Sequence, residues 1–203
     1  MYQPKSFVLE DSELIGRLIS ENSFAALVSN GEGGLEASHL PFEWDAESQT
    51  LISHMARANK QWRNFDEREV LVIFSGPHGY ISPSWYETEL AVPTWNYVVV
   101  HAYGVPRIIE DDEQVEALLT RLIDKYESTR NPRWRLEAPA DWQQNLRKAI
   151  VGFEMKVTRL EAKAKLSQNR PRADIEGVIG ALEHEGQSEL ADWTRRLNPN
   201  HED

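Results

Sequence analysis

The stretch His54-Met55-Ala56-Arg57-Ala58-Asn59-Lys60 gathers residue types that can hold an anion. Arg57 and Lys60 are cations, Asn59 is a cap-type donor, and Ala56 and Ala58 leave room for close backbone approach. A strand end passing into a helix N-terminus with fixed cations suits a phosphate group. An ordinary capped turn with solvated cations has the same pattern. A second basic run, Lys163-Ala164-Lys165-Leu166-Ser167-Gln168-Asn169-Arg170, carries two Lys, one Arg and three side-chain amides or hydroxyls. It suits phosphate as well, or a solvated linker that stops at Pro171. Between these runs lie two rigid aromatic segments, Gly76-Pro77-His78-Gly79-Tyr80-Ile81-Ser82-Pro83-Ser84-Trp85-Tyr86 and Val92-Pro93-Thr94-Trp95-Asn96-Tyr97. Aromatic faces with amide and hydroxyl neighbours fit a flat conjugated ligand, stacked and hydrogen-bonded at its edge. Packing at a subunit contact is the competing reading, because Trp and Tyr are enriched at interfaces.

Other chemistries find less support. The 203 residues include no Cys, which removes disulfides, thiolate nucleophiles and Cys-ligated metals and fits a reducing compartment. Four of the six His, namely His39, His54, His78 and His101, fall in strand-like sequence without a local ligand pair. They read as polar core, edge or hydrogen-bonding groups, with a metal or haem ligand as the alternative. No Ser carries a nucleophile-elbow pattern, and the pair Asp111/Asp112 is explained by a helix start. The glycines at 31, 33 and 34 make a turn, not a phosphate loop. With 22 basic and 33 acidic side chains the net charge is −11, which opposes binding to nucleic acid. The charge is uneven: Arg147 to Arg172 holds eight basic and two acidic residues, 8 − 2 = +6. No apolar run approaches the ~20 residues of a membrane span, and Met1-Tyr2-Gln3-Pro4-Lys5 has no signal-peptide character. A cytoplasmic protein that does not enter membranes is expected.

The elements that must position these residues follow from periodicity and turn chemistry. An amphipathic helix is expected from Asp11 to Glu21, and a second from Asp112 to Tyr126 with Val115, Leu118, Leu119 and Leu122 on one face. Strands are expected at Phe24–Val28, at Leu35–Trp44 with an interruption near Pro41, and at Thr50–Met55. Ala58 to Phe65 reads as a short helix. Glu69 to Ser75 reads as a central strand, broken at Gly76-Pro77-His78-Gly79 and resumed at Tyr80. Asn96 to Ile109 is a long strand whose Gly104 and Pro106 mark a bulge or an edge. Glu127 to Asp141 is irregular, Trp142 to Lys148 is a short helix, and Ile150 to Ala162 alternates as a last strand. Asp174 to Leu197 is a helical pair bent near Gly186, and His201-Glu202-Asp203 is a frayed tail. Strands in short antiparallel order with interspersed helices predict an α+β chain, mainly β: a small β-barrel decorated by helices, with an α+β sandwich as the alternative. A doubly wound nucleotide fold is not expected, because no βαβαβ alternation is present.

Several motifs together carry a resemblance to a known family. They are Met1-Tyr2-x-Pro4-x-x-Phe7, Ser38-His39-Leu40-Pro41-Phe42, His54-Met55-Ala56-Arg57-Ala58-Asn59, the two aromatic segments, and Lys165-Leu166-Ser167-Gln168-Asn169. The chain resembles the PaiB family, FMN-binding negative transcriptional regulators. The motifs run from residue 1 to about residue 170. The resemblance implies a split β-barrel of the FMN-binding type over 1–170 with a C-terminal helical extension at 171–203. It implies a homodimer with FMN in a groove between subunits, and repression of transcription, with DNA as a partner that the net charge does not support. By position, Arg57-Ala58-Asn59, with Lys60 and His54 beside it, would meet the flavin phosphate. Ser38, His39, Leu40 and Pro41 would lie along the isoalloxazine, Trp95 and Asn96 would reach it, and Lys165 and Gln168 would complete the groove. Oxidase relatives carry Arg or Lys on the strand matching 35–42, and this chain carries neither there. A flavin-dependent oxidoreductase and a haem-binding split barrel are the alternatives.

Overall fold

The computed structural model describes residues 1–31, 33–65 and 68–198. Glu32 of the expected hairpin turn and the expected tail at His201-Glu202-Asp203 lie outside the described residues. The chain runs α1 (Ser12–Glu21), β1 (Phe24–Gly31), β2 (Gly34–Asp45), β3 (Thr50–Ala56), β4 (Val70–Ile81), β5 (Thr94–Ile108), α2 (Asp112–Glu127), α3 (Ala140–Lys148), β6 (Ile150–Lys165), α4 (Arg172–His184) and α5 (Ser188–Arg196). The strands close into a barrel in the order β1-β2-β3-β6-β5-β4. β1 pairs antiparallel with β2 and with β4, and β3 with β2 and β6. This is the α+β, helix-decorated barrel that the alternation predicts. Among the described residues no helix is long and apolar enough to cross a membrane.

The chain packs as two compact units. The barrel unit comprises Ile19–Phe74 and Ala102–Leu160. The terminal unit comprises Met1–Leu18, Ser75–His101 and the described part of Glu161–Asp203, so α4 and α5 belong to it. In the barrel unit, alternate residues of β3 (Leu51, Ser53, Met55) point inward and are buried. Phe42, Phe74, Phe153 and Phe65 interlock at the centre, with ring centroids 4.9 to 6.1 Å apart and edge-on or tilted planes. α2 starts where Asp111 accepts hydrogen bonds from the Glu113 and Gln114 amides, and it buries Val115, Leu118 and Leu122. In the terminal unit, α4 and α5 bury Ile175, Val178, Leu182, Leu190 and Trp193. Gly186, at φ +77, makes the bend between the two helices.

Three local expectations are corrected. β2 runs through Pro41 without interruption. Pro41 is the last partner in the β1 ladder, opposite Phe24, and the β3 ladder starts at the next residue, Phe42 opposite Ser53. The missing proline N–H falls at this change of partner, where it breaks no ladder. β4 runs through Gly76-Pro77-His78-Gly79. Neither of these glycines has a positive φ. A Cβ on Gly76 would press on Leu18 and on the Val98 carbonyl, and one on Gly79 would run into Gln187 and Leu190. They are close-packing positions, not turn positions. The helix expected from Ala58 to Phe65 is a single 3-10 turn, Lys60–Asn64, with Asn59 as its N-cap.

Candidate functional site

The residues singled out in the sequence fall into two groups, one on each unit. On the barrel unit, the Asn59 Oδ1 accepts from the Gln61 amide, and its Nδ2 donates to the Ser38 hydroxyl at 2.7 Å. The cap therefore ties the turn after β3 to the inward-facing side of β2. Gln61 is buried, and its Nε2 donates to the carbonyls of Leu27 and Glu36 and to the Ser29 hydroxyl. The Arg57 guanidinium donates from Nε to the Lys148 carbonyl at 2.8 Å and from Nη2 to the Ile150 carbonyl at 2.7 Å. It thus holds the end of α3 and the start of β6 while remaining exposed. Two of its five N–H donors are engaged in this way. Ala58 and Lys60 are exposed beside it.

The pleat divides the Ser38–Pro41 stretch. Ser38 and Leu40 point to the barrel interior, and Leu40 is buried. His39 points outward and stacks on Phe24 with 6.2 Å between centroids and 29° between planes. Phe24 is 67% exposed, so this pair presents a flat aromatic surface. His54 is opposite Gly152 in the β3–β6 ladder, on the face that α2 covers with Val115 and Leu118. Burial there pushes its imidazole below the usual histidine value.

On the terminal unit, Lys165, Asn96 and their neighbours converge on a pocket of about 110 Å³. Thr94, Asn96, Lys165, Ser167, Arg170 and Tyr86 line it. The Lys165 ammonium donates to the Thr94 hydroxyl and to the Trp95 carbonyl. Burial, followed by the nearby Lys163 and Arg170, holds its pKa below the usual lysine value. Ser167 sits at φ +64, and its hydroxyl accepts from Asn96 Nδ2 at 2.9 Å. Asp174, in the first turn of α4, accepts from the Glu87 and Thr88 amides and from the Thr88 hydroxyl. Its burial raises its pKa, but these hydrogen bonds and Arg170 outweigh that, and the carboxyl titrates below its ordinary value. The clasp fixes the segment that carries Tyr86, whose ring lies under the Arg170 guanidinium at 4.5 Å.

Trp95 and Gln168 do not line this pocket. Trp95 is 55% exposed and meets Tyr80 edge-on. Gln168 closes its own turn: Oε1 accepts from the Leu166 amide and Nε2 donates to the Ala164 carbonyl. Tyr86, Ser167 and Arg170 enter the sequence reading only as members of the aromatic segment and the basic run, and Phe24 and Asp174 are not singled out there as site residues.

The +6 segment is not one basic surface. Arg147 pairs with Asp112 and Glu116, and Arg159 pairs with Glu69 and lies 3.4 Å over the Tyr103 ring; all of these belong to the barrel unit. Arg172 pairs with Glu176, and Lys163 lies between the rings of Tyr2 and Tyr97, both on the terminal unit. Charges paired in this way attract little phosphate backbone.

A family model described as "Putative FMN-binding domain" matches residues 1–159. The Bacillus subtilis (strain 168) protein named protease synthase and sporulation protein PAI 2 is 44% identical over 190 residues, 91% of this chain and 90% of that protein. An uncharacterized protein of Emericella nidulans is 32% identical over 221 residues, 85% of this chain and 86% of that protein. Among solved structures, a flavocytochrome from Azotobacter vinelandii aligns with a TM-score of 0.62 at 14% identity, covering 77% of this chain and 68% of that one. The FAD and heme binding protein from Mycobacterium smegmatis aligns at 0.59 and 15% identity, covering 75% and 70%. Both likenesses bear on the fold, which is the split β-barrel.

Proposed function

The chain belongs to the FMN-binding-domain family that includes PAI 2 of Bacillus subtilis, and from that premise we propose that it is a flavin-binding regulatory protein that holds FMN on its barrel unit. One observation carries the reading. Arg57 is fixed in direction by two backbone carbonyls and keeps three N–H donors, 5 − 2, for an anion. A guanidinium held in this way loses little freedom when it meets a phosphate. The donor set fits the group: the phosphate would lie on Arg57 with the Asn59–Ser38 pair beside it. The exposed Phe24–His39 stack has the chemistry to face a flat ring. FMN, when bound, supplies one- and two-electron redox chemistry. The protein residues named here bind and orient, and none is a general acid or base.

The regulatory part of the reading is supported by the identity with PAI 2, whose name refers to protease synthesis and sporulation. The net charge of −11 and the paired cations of the basic segment favour action through a ligand or a protein partner over direct DNA contact. The test is an absorbance and fluorescence titration of the purified chain with FMN, riboflavin and haem. FMN is expected to bind with its fluorescence quenched, and Arg57→Ala to weaken FMN about tenfold, or roughly 1.4 kcal/mol, with little effect on riboflavin. No uptake of FMN by the wild-type chain would overturn the flavin reading. A Soret band with haem alone would replace it with a haem-binding one.

A further inference from the structure

The pocket on the terminal unit contains a polar deficit that its own residues do not fill. Asn96 is 1% exposed, its Nδ2 is engaged by Ser167, and its Oδ1 is buried with no hydrogen-bond partner. The Tyr86 hydroxyl is buried too, with the Ser167 hydroxyl and the Arg170 guanidinium beside it. A buried polar atom without a partner, such as Asn96 Oδ1, is rare in a fold and calls for an occupant. Turning the Asn96 amide over would let Oδ1 accept from the Ser167 hydroxyl and aim an N–H pair at the pocket instead.

The charges around the pocket point to what the occupant is. Lys165 has three N–H donors, of which Thr94 and Trp95 take two. Burial, then Lys163 and Arg170, disfavour its charge, and among the described residues no carboxylate offsets them. Asp174, which feels the Arg170 charge, has both oxygens occupied by Glu87 and Thr88. Tyr86 keeps its proton, because burial raises its pKa more than Arg170 lowers it. The pocket therefore faces inward with an ammonium, a guanidinium, a phenol and an amide, and it lacks acceptors of matching charge. Its volume of about 110 Å³ equals that of roughly three or four waters at ~30 Å³ each. That has room for one tetrahedral oxyanion.

We propose that the pocket formed by Tyr86, Asn96, Lys165, Ser167 and Arg170 is a phosphate site that takes a single phosphate or phosphate-monoester group. Lys165 and Arg170 supply the charge, the turned Asn96 amide and the Tyr86 hydroxyl donate to its oxygens, and Asp174 sets the position of Tyr86. The occupant is free phosphate or a small phosphate monoester, distinct from the flavin phosphate that the flavin reading above assigns to Arg57.

The test uses the full chain and inorganic phosphate, followed by NMR of the Asn96 side-chain amide and by calorimetry. Phosphate is expected to shift that amide resonance in a saturable way. Lys165→Met and Arg170→Gln should each weaken binding at least tenfold. Should Lys165→Met unfold the chain, Arg170→Gln and the wild-type amide shift still decide. FMN that displaces phosphate, while riboflavin does not, would move the flavin phosphate here from Arg57 and overturn the proposal of a separate phosphate site. FMN that binds without displacing phosphate identifies a free phosphate ester. Phosphate that binds to a chain unable to take FMN defeats the flavin reading and leaves the site intact. Saturating phosphate that leaves the Asn96 amide unmoved, or wild-type affinity in both variants, would overturn the proposal.

Discussion

Arg57 and Lys165 stand at similar places in the local chain: each is a cation where a strand ends and a turn begins. Their surroundings differ. The Arg57 guanidinium spans the Lys148 and Ile150 carbonyls and so joins the turn after β3 to the junction of α3 and β6. Asn59, Ser38 and Gln61 around it are likewise hydrogen-bonded. Around Lys165, two more cations stand close, the buried carboxylate of Asp174 is engaged elsewhere, and the buried Asn96 Oδ1 lacks a partner. Arg57 is exposed and Lys165 half-buried. Both donate to the fold, Arg57 to two carbonyls and Lys165 to the Thr94 hydroxyl and the Trp95 carbonyl; what separates them is the charge gathered around Lys165. A cation that closes backbone is worth stability with nothing bound. A cation gathered with like charges is worth stability only once an anion arrives.

The largest effect expected concerns the clasp that shapes the second of these environments. Asp174→Ala removes a buried carboxylate with three hydrogen bonds from Glu87 and Thr88, a loss of about 3 kcal/mol, read by urea denaturation. The same variant should lose the response of the Asn96 amide to phosphate. The pH dependence has a definite sign. The folded carboxyl titrates below 3.8, so its stabilisation is fully present above that value and is lost as pH falls through the folded pKa. The acid limb of a stability-against-pH curve should flatten in Asp174→Ala. An unchanged limb would place the clasp outside the folding energetics.

Much of the barrel was legible from alternation, because inward-facing positions such as Leu51, Ser53 and Met55 repeat every second residue. The turn at Gly186 and the cap at Asp111 were legible because their chemistry is local. The break expected at Gly76-Pro77-His78-Gly79 shows where local reading fails. A glycine needed for positive φ and a glycine needed because Leu18 or Leu190 approaches look identical in one sequence. The pocket on the terminal unit was half legible. Its basic run was visible, but the pairs Asn96 with Ser167 and Thr88 with Asp174 span 71 and 86 residues. Gln168 could have been set aside, because its partners lie only two and four residues away.

The next effect tests the structural side of the comparison. Arg57→Ala should cost about 1 kcal/mol even in the absence of any ligand, since the Lys148 and Ile150 carbonyls lose their donor. A thermal melt without flavin measures it, and no loss would mean that Arg57 does not hold the α3–β6 junction. A smaller effect comes from His54, whose imidazole titrates below 6.5 because it is buried under α2. As pH falls from 6.5 toward that lower value, the unfolded chain binds a proton that the folded chain does not, and stability falls. The slope for one such group stays under about 1.4 kcal/mol per pH unit. His54→Gln should remove that share of the slope, leaving the share from His101 in the terminal unit, which burial also lowers.

The smallest effect is the most telling about the contrast. Lys165→Met gives up hydrogen bonds to Thr94 and Trp95 but removes a charge that burial, Lys163 and Arg170 all oppose. Loss and relief should nearly cancel, leaving a change within about 0.5 kcal/mol in phosphate-free buffer. In phosphate the wild type gains stability by mass action, about 2.7 kcal/mol at a hundred times its Kd, and the variant does not follow. The difference between the two proteins should therefore open with phosphate concentration, from almost nothing. A Lys165→Met loss of about 2 kcal/mol without phosphate, unchanged on adding it, would make Lys165 a backbone-closing cation like Arg57, and the distinction between the two regions would disappear.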